Sequence, residues 1–211
     1  MLTPQEFVRR WKSSDLIRYE ERDVRALEIP EASKRLLIEA GLPPKARLGY
    51  YQEASIHVPV LGDTFTGKFP FPPDCAHFRV LLVDWMDFNT GHYEIVRLIC
   101  LDERTHGQVM AIGPDSNLEM NSLFLNSSIP QYAEFQLVYD EYKIWARKQR
   151  QAREDTGRPF TYTQWKAKSH EVRRQLYEID PSAFINPEGL SESTCEEQLY
   201  GIEQNMDCSP E

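Results

Sequence analysis

Between Tyr50 and Phe124 the chain shows no helical period, and short β-branched or aromatic runs alternate with turn residues. The runs are Ser55 to Val60, Phe78 to Trp85, Glu94 to Leu101, Gln108 to Ile112 and Ser122 to Leu125, each of strand length. Gly62-Asp63, Pro70 to Pro73, Asn89 to Gly91, Thr105 to Gly107 and Pro114 to Asn117 separate them, and these residue types reach turn dihedrals at low cost. The spacing predicts one mainly antiparallel sheet, with its loops as the places where function sits.

Helical patterns flank this stretch. Thr3, Pro4 and Glu6 read as N-cap, first-turn proline and capping-box acid, after which Phe7, Val8 and Trp11 share a face. A second short helix follows Ile29-Pro30, turning Leu36, Leu37 and Ala40 inward and stopping at Gly41 before Leu42-Pro43-Pro44. After Asn126-Ser127-Ser128 the helical period returns, with Tyr132, Phe135, Val138, Tyr139 and Tyr142 spaced to cover the sheet. Ser127 or Ser128 is a good N-cap there. Arg153 to Pro159 reads as a polar break, Trp165, Val172, Leu176 and Ile179 as another helix stopped at Asp180-Pro181, and Ser191 to Gly201 as one further short helix. The domain organisation expected is a unit over 1–150, with a helical extension and acidic tail over 151–211 packed on it.

Charge is unevenly placed. The net charge of -9 divides into -6 over residues 1–140, +6 over 141–174 and -9 over 175–211, where there is no Lys or Arg. On average such a surface repels nucleic acid and anionic membrane and favours a basic protein partner. No stretch approaches the roughly 18–20 apolar residues needed to span a bilayer, and Met1 to Glu6 has no basic region or apolar run of a signal peptide. The expectation is a cytoplasmic protein that binds neither membrane nor nucleic acid. Cys75, Cys100, Cys195 and Cys208 are scattered, without a CxxC pair, so free thiols are expected.

Residue patterns that carry chemistry are sparse. Cys100, His92 and Asp102 would make a nucleophilic set, but Cys100 falls within a strand, on the face opposite Ile99 and Leu101, where it reads as a small packed hydrophobe. The five histidines are spread singly, so no metal site and no cofactor are expected. Gly62 to Lys68 has the glycine and lysine spacing of a phosphate loop, yet Phe69 stands where Ser or Thr should hold magnesium, and Pro70, Pro72 and Pro73 prevent the helix that must follow. The basic run Lys143 to Arg153 reads as a solvated helix face that attracts the acidic tail rather than as a nucleic-acid site. Recognition offers more: acids around Trp85, Met86 and Phe88 would form an apolar centre with a charged rim. Asp84, Trp85, Asp87, Asp102 and Glu103 are the candidate partner contacts, chosen from loop position and charge.

Several segments, in order, resemble the SUKH superfamily, which includes Smi- and Knr-type domains. They are Ile99-Cys100-Leu101-Asp102-Glu103, Gly107-Gln108-Val109, and Leu125-Asn126-Ser127-Ser128-Ile129 leading to Tyr132 and Phe135. Phe7 and Trp11, Gly41-Leu42-Pro43, and Arg173-Arg174-Gln175-Leu176 through Ile179-Asp180-Pro181-Ser182-Ala183 extend the likeness to most of the chain. The last is similar to the C-terminal extension of one immunity subgroup, although Leu190-Ser191-Glu192 stands where that subgroup has paired tryptophans.

The resemblance implies an α+β fold, a curved, mainly antiparallel mixed sheet covered by helices, with a C-terminal helical extension. It also implies a non-enzymatic immunity protein that binds and neutralises a cognate toxin domain, a nuclease or a deaminase, and it brings no catalytic residues. A regulatory scaffold or adaptor of the same fold is the alternative reading, and an enzyme using Cys100, His92 or Asp102 the third.

Overall fold

The computed structural model describes residues 2–12, 16–43, 51–53, 57–65, 71–87, 93–114, 120–156 and 161–185. Of residues 51–53, 64–65, 84–87, 93–96, 114, 154, 162 and 185, the backbone alone is described. The chain opens on α1 (Pro4–Arg10), whose start carries the reciprocal cap expected from its sequence. The Thr3 hydroxyl accepts from the Glu6 N–H at 3.2 Å, and the Glu6 carboxylate accepts from the Thr3 N–H at 3.2 Å. Phe7 is thereby turned fully into the core.

Two short helices follow, α2 (Glu21–Arg25), absent from the sequence-based expectation, and α3 (Glu31–Arg35), which runs on into one π-helical turn over Leu36–Ala40. That turn buries Leu36, Leu37 and Ala40 and is ended by Gly41 at φ +82°. The left-handed dihedral requires glycine for a second reason: a Cβ there would stand 2.1 Å from the carbonyl oxygen of Ile17. The close approach exists because Ile17 and Leu42 exchange backbone hydrogen bonds of 2.9 and 3.0 Å, tying the chain before α2 to the exit of the π turn.

The sheet is a meander of β1 (Tyr51–Glu53), β2 (Arg79–Asp87), β3 (Tyr93–Asp102), β4 (Gln108–Pro114) and β5 (Met120–Asn126). Every described pairing is antiparallel. Register shifts between Val80 and Leu82, at Asp84/Trp85 and at Val109/Met110 interrupt the ladders, and such bulges bend and twist the strands they occupy. Four expected strands appear with longer bounds. The expected strand Ser55 to Val60 does not: residues 54–56 lie outside the described residues, Val60 makes a single bridge to Arg79, and α4 (Leu61–Phe65) begins at the next residue. The pairing of Leu61 and Gly62 N–H groups with the carbonyls of Phe78 and Ala76 turns the backbone into α4 where a simple turn was expected at Gly62-Asp63.

α5 (Ile129–Thr156), α6 (Tyr162–Ile179) and α7 (Ser182–Ile185) complete the fold. Ser128 is the N-cap of α5, its hydroxyl accepting from the Gln131 N–H at 3.4 Å, which decides between the two serines. α5 runs on to Thr156, past the start of the break expected over Arg153 to Pro159, and residues 157–160 lie outside the described residues. The expected helix over Ser191 to Gly201 lies outside the described residues.

The two faces of the sheet carry different cores. Ile99, Leu101, Val109 and Ala111 meet Phe7, Leu36, Phe135 and Tyr139 on the helix-covered face, where Val172, Leu176 and Ala183 join them. Leu98, Cys100 and Ile112 point to the other face, against Leu61, Cys75 and Phe78. Alternation along β3 assigns each residue its side, so Cys100 lies opposite Ile99 and Leu101 as expected.

Candidate functional site

The candidate contacts fall at two separate places. Asp84, Trp85 and Asp87 stand in the second half of β2, paired in register with Arg97, Ile95 and Tyr93 of β3; their side chains are outside the described residues. Asp102 closes the far end of β3, next to Leu101, which pairs with Arg79, and Glu103 follows it. The separation between Asp87 and Asp102 along the ladder is about nine residues, roughly 30 Å at the rise of an extended strand. The five residues therefore do not form one compact patch.

Asp102 and Glu103 have internal partners. The Asp102 carboxylate accepts from the Arg104 N–H at 2.9 Å and lies 3.0 Å from the Nε2 of His77. Its backbone carbonyl takes the Gly107 N–H at 2.9 Å and the Thr105 hydroxyl at 3.2 Å, which shapes the tight β3–β4 connection through His106 and Gly107, both at positive φ. Glu103 accepts from the Arg79 guanidinium at 2.5 Å and from the Glu28 N–H at 2.8 Å. One acid thus fastens β2, and with it the segment after α2, to the end of β3. These partners come from residues 24 and 75 positions away, which no local pattern in the sequence signals.

Asp102 is paired with His77; His92, the histidine of the alternative set with Cys100 and Asp102, lies outside the described residues. Cys75, two residues before His77, is almost fully buried. Its thiol is pushed up by burial, then modulated by Ser122 and the nearby Asp74 and Asp102 carboxylates. Burial pushes the Cys100 thiol up further, with Cys75 adding to it. A thiol held protonated is a poor nucleophile, so the arrangement serves packing and hydrogen bonding. Among the described residues no group of three or more His, Cys, Asp or Glu side chains is placed to hold a metal ion.

A feature that sequence reasoning missed lies on the helical side. Gln131, Glu134, Val138 and Glu141 form the floor of a groove of about 620 Å³ along α5, walled by Arg10 of α1 and by Glu178 near the end of α6. Their spacing places them on one stripe of a helix. Arg10 holds Glu141 through two hydrogen bonds of 3.1 and 3.2 Å, closing one end of the groove.

This frame of a five-stranded meander backed by α1, α3, α5 and α6 can be set beside known families. The family model described as SUKH-4 immunity protein matches residues 2–193. The chain belongs to this family. No curated protein and no solved structure gives a significant match. Membership in the SUKH-4 immunity protein family spans the sheet and α6 together, and agrees with the resemblance carried by the β3–β4 and β5–α5 segments. Among the described residues no helix is long and apolar enough to cross a membrane.

Proposed function

We propose that the protein is a stoichiometric inhibitor that binds the catalytic domain of a cognate protein toxin in the cytoplasm and blocks it without chemistry of its own. The family match over residues 2–193 carries this reading. The net charge of -9 supports a basic toxin, such as a nuclease or a deaminase, because acidic and basic surfaces steer each other into contact. It also disfavours nucleic acid as the direct partner. The buried, protonated thiols of Cys75 and Cys100 support a binding role over a nucleophilic one.

The proposed contact surface centres on the β2 residues Asp84, Trp85 and Asp87. Asp102 and Glu103 would contribute from the far end of the ladder through whatever capacity their internal bonds leave. The test is a pull-down of the product of a neighbouring gene with the tagged protein at low and high salt. Recovery of one basic toxin-like domain, reduced by salt and by Asp84→Lys with Asp87→Lys, supports the reading. Recovery of ordinary cellular proteins in its place would move the assignment to a regulatory scaffold of the same fold.

A further inference from the structure

A cationic segment of this acidic protein covers the second half of α5 and much of α6. Residues 141–174 carry a net charge of +6. Arg147, Lys148 and Arg150 of α5 and Lys166 of α6 are exposed. Lys143, Arg147 and Arg150 follow at i, i+4 and i+7, which stacks like charges along one face of α5. Among the described side chains nearby, Asp155 accepts from Gln151 at 3.0 Å, Glu171 from Lys168 at 2.9 Å and Glu178 from Arg174 at 2.5 Å, so these carboxylates are already engaged. Among the described residues Arg147, Lys148, Arg150 and Lys166 form no ion pair. An anionic counterpart of matching charge is what this face lacks.

The chain contains one. Residues 186–211 hold seven carboxylates, among them Glu192, Glu196 and Glu197, and no Lys or Arg. They follow Ile185 of α7, where Phe184 packs beside Phe135 of α5 with ring centroids 6.3 Å apart. From Phe135 to Arg147 along the helix is about 18 Å, whereas a random coil of 26 residues, the length of 186–211, spans about 28 Å on average. Reach is therefore ample, and a tethered segment meets its own hairpin at an effective concentration of about millimolar.

We infer that residues 186–211 bind in cis to the basic α5–α6 hairpin, with Arg147, Lys148, Arg150 and Lys166 as the receiving cations. A nucleic acid fits this face less well. It would run beyond the hairpin over a body of net negative charge. Trp145 and Trp165, the tryptophans of this region, are turned inward, with Trp145 stacked on Tyr142, and so offer no platform for bases. The consequence of cis binding is that the hairpin is screened from other polyanions, while the acidic remainder stays free to steer a basic partner. The inference does not depend on the toxin-binding reading.

The experiment is zero-length carbodiimide cross-linking of the full chain at low protein concentration, with each lysine–carboxylate link identified by mass spectrometry. Four of the eight lysines, Lys143, Lys148, Lys166 and Lys168, lie on the hairpin, and Lys12, Lys34, Lys45 and Lys68 lie elsewhere. The expected result is links within one molecule from Glu192, Glu196 or Glu197 to Lys148 and Lys166, about tenfold above those to Lys12 or Lys34. They should fall at least about fivefold at roughly 0.5 M salt. Arg147→Glu with Arg150→Glu, which leaves every lysine in place, should bring them to background without changing the far-ultraviolet circular dichroism. As a second reading, Glu192→Gln, Glu196→Gln and Glu197→Gln together should raise the acylation rate of Lys148 and Lys166 over that of Lys12. Equal links to hairpin and body lysines, links indifferent to salt, links only between molecules, or no links would overturn the inference.

Discussion

The carboxylate of Asp180 accepts from the Ser127 N–H at 2.6 Å and from the Ser127 hydroxyl at 2.9 Å, joining the end of α6 to the start of α5 across 53 residues. Asn126 donates to the same group at 3.3 Å, and Asp180 itself is nearly fully buried. Asp180→Ala leaves these donors without an acceptor in a closed environment, at a cost of about 2–4 kcal/mol. Chemical denaturation of the two proteins measures it, and a loss below about 1 kcal/mol would mean water replaces the carboxylate.

Gly41→Ala should be as damaging for a different reason. The substituted Cβ meets the Ile17 carbonyl oxygen at 2.1 Å while φ stays at +82°, so the Ile17–Leu42 bridge or the π-helical turn must give way. The expected loss is about 3 kcal/mol or more, read as a lower midpoint of thermal unfolding. Gly107→Ala meets only side-chain atoms of Ile29 and Leu101, at 3.1 Å and beyond, so its cost comes chiefly from its φ of +92° and should be smaller.

Glu103→Ala tests whether this acid holds the fold. Its removal frees the Arg79 guanidinium, a partly exposed group, and the Glu28 N–H. The pair is partly screened by solvent, so a loss of about 1–2 kcal/mol is expected, measured by denaturant titration. An unchanged midpoint would show that the contact contributes nothing to stability.

Alkaline pH should unfold the protein. Burial raises the pKa of the Cys100 and Cys75 thiols and holds that of Tyr19 well above its usual 10.0; the Tyr19 hydroxyl donates to the Leu81 carbonyl at 2.9 Å. Below about pH 8.5 both folded and unfolded chains keep these protons, and the stability is fully present. Above it the unfolded chain begins to release the cysteine protons, and from about pH 10 that of Tyr19, while the folded chain still holds them, so stability falls by about 1.4 kcal/mol per pH unit for each group until that group titrates in the folded chain too. Denaturation midpoints between pH 8 and 11 check the slope, and Cys100→Ala should reduce it.

What could be read from the sequence was what local chemistry decides. Thr3, Pro4 and Glu6 announce α1, the alternation about Cys100 announces which face it takes, and Leu36, Leu37 and Gly41 announce a buried turn with an abrupt end. β1 was misplaced because Ser55 to Val60 has strand composition, whereas pairing with β2 selects Tyr51–Glu53 and α4 starts at Leu61. α2 is five residues long, too short for a periodic signal. The bonding of Asp102 to His77, Glu103 to Arg79 and Asp180 to Ser127 depends on long-range approach, so charge and loop position alone do not signal these internal partners. The helical groove over Glu134 and Val138 was invisible for the same reason, since it exists only once α1 and α6 flank α5.

The most direct test of toxin neutralisation is a calorimetric titration of the purified protein into the catalytic domain of the toxin encoded beside it, with the toxin's activity assayed on the same samples. The expected result is a single transition at one-to-one stoichiometry, activity lost in proportion to complex formed, and weaker binding for Asp84→Lys with Asp87→Lys. No heat of binding with activity intact, or toxin inactivated at far less than equimolar protein, would contradict a stoichiometric inhibitor.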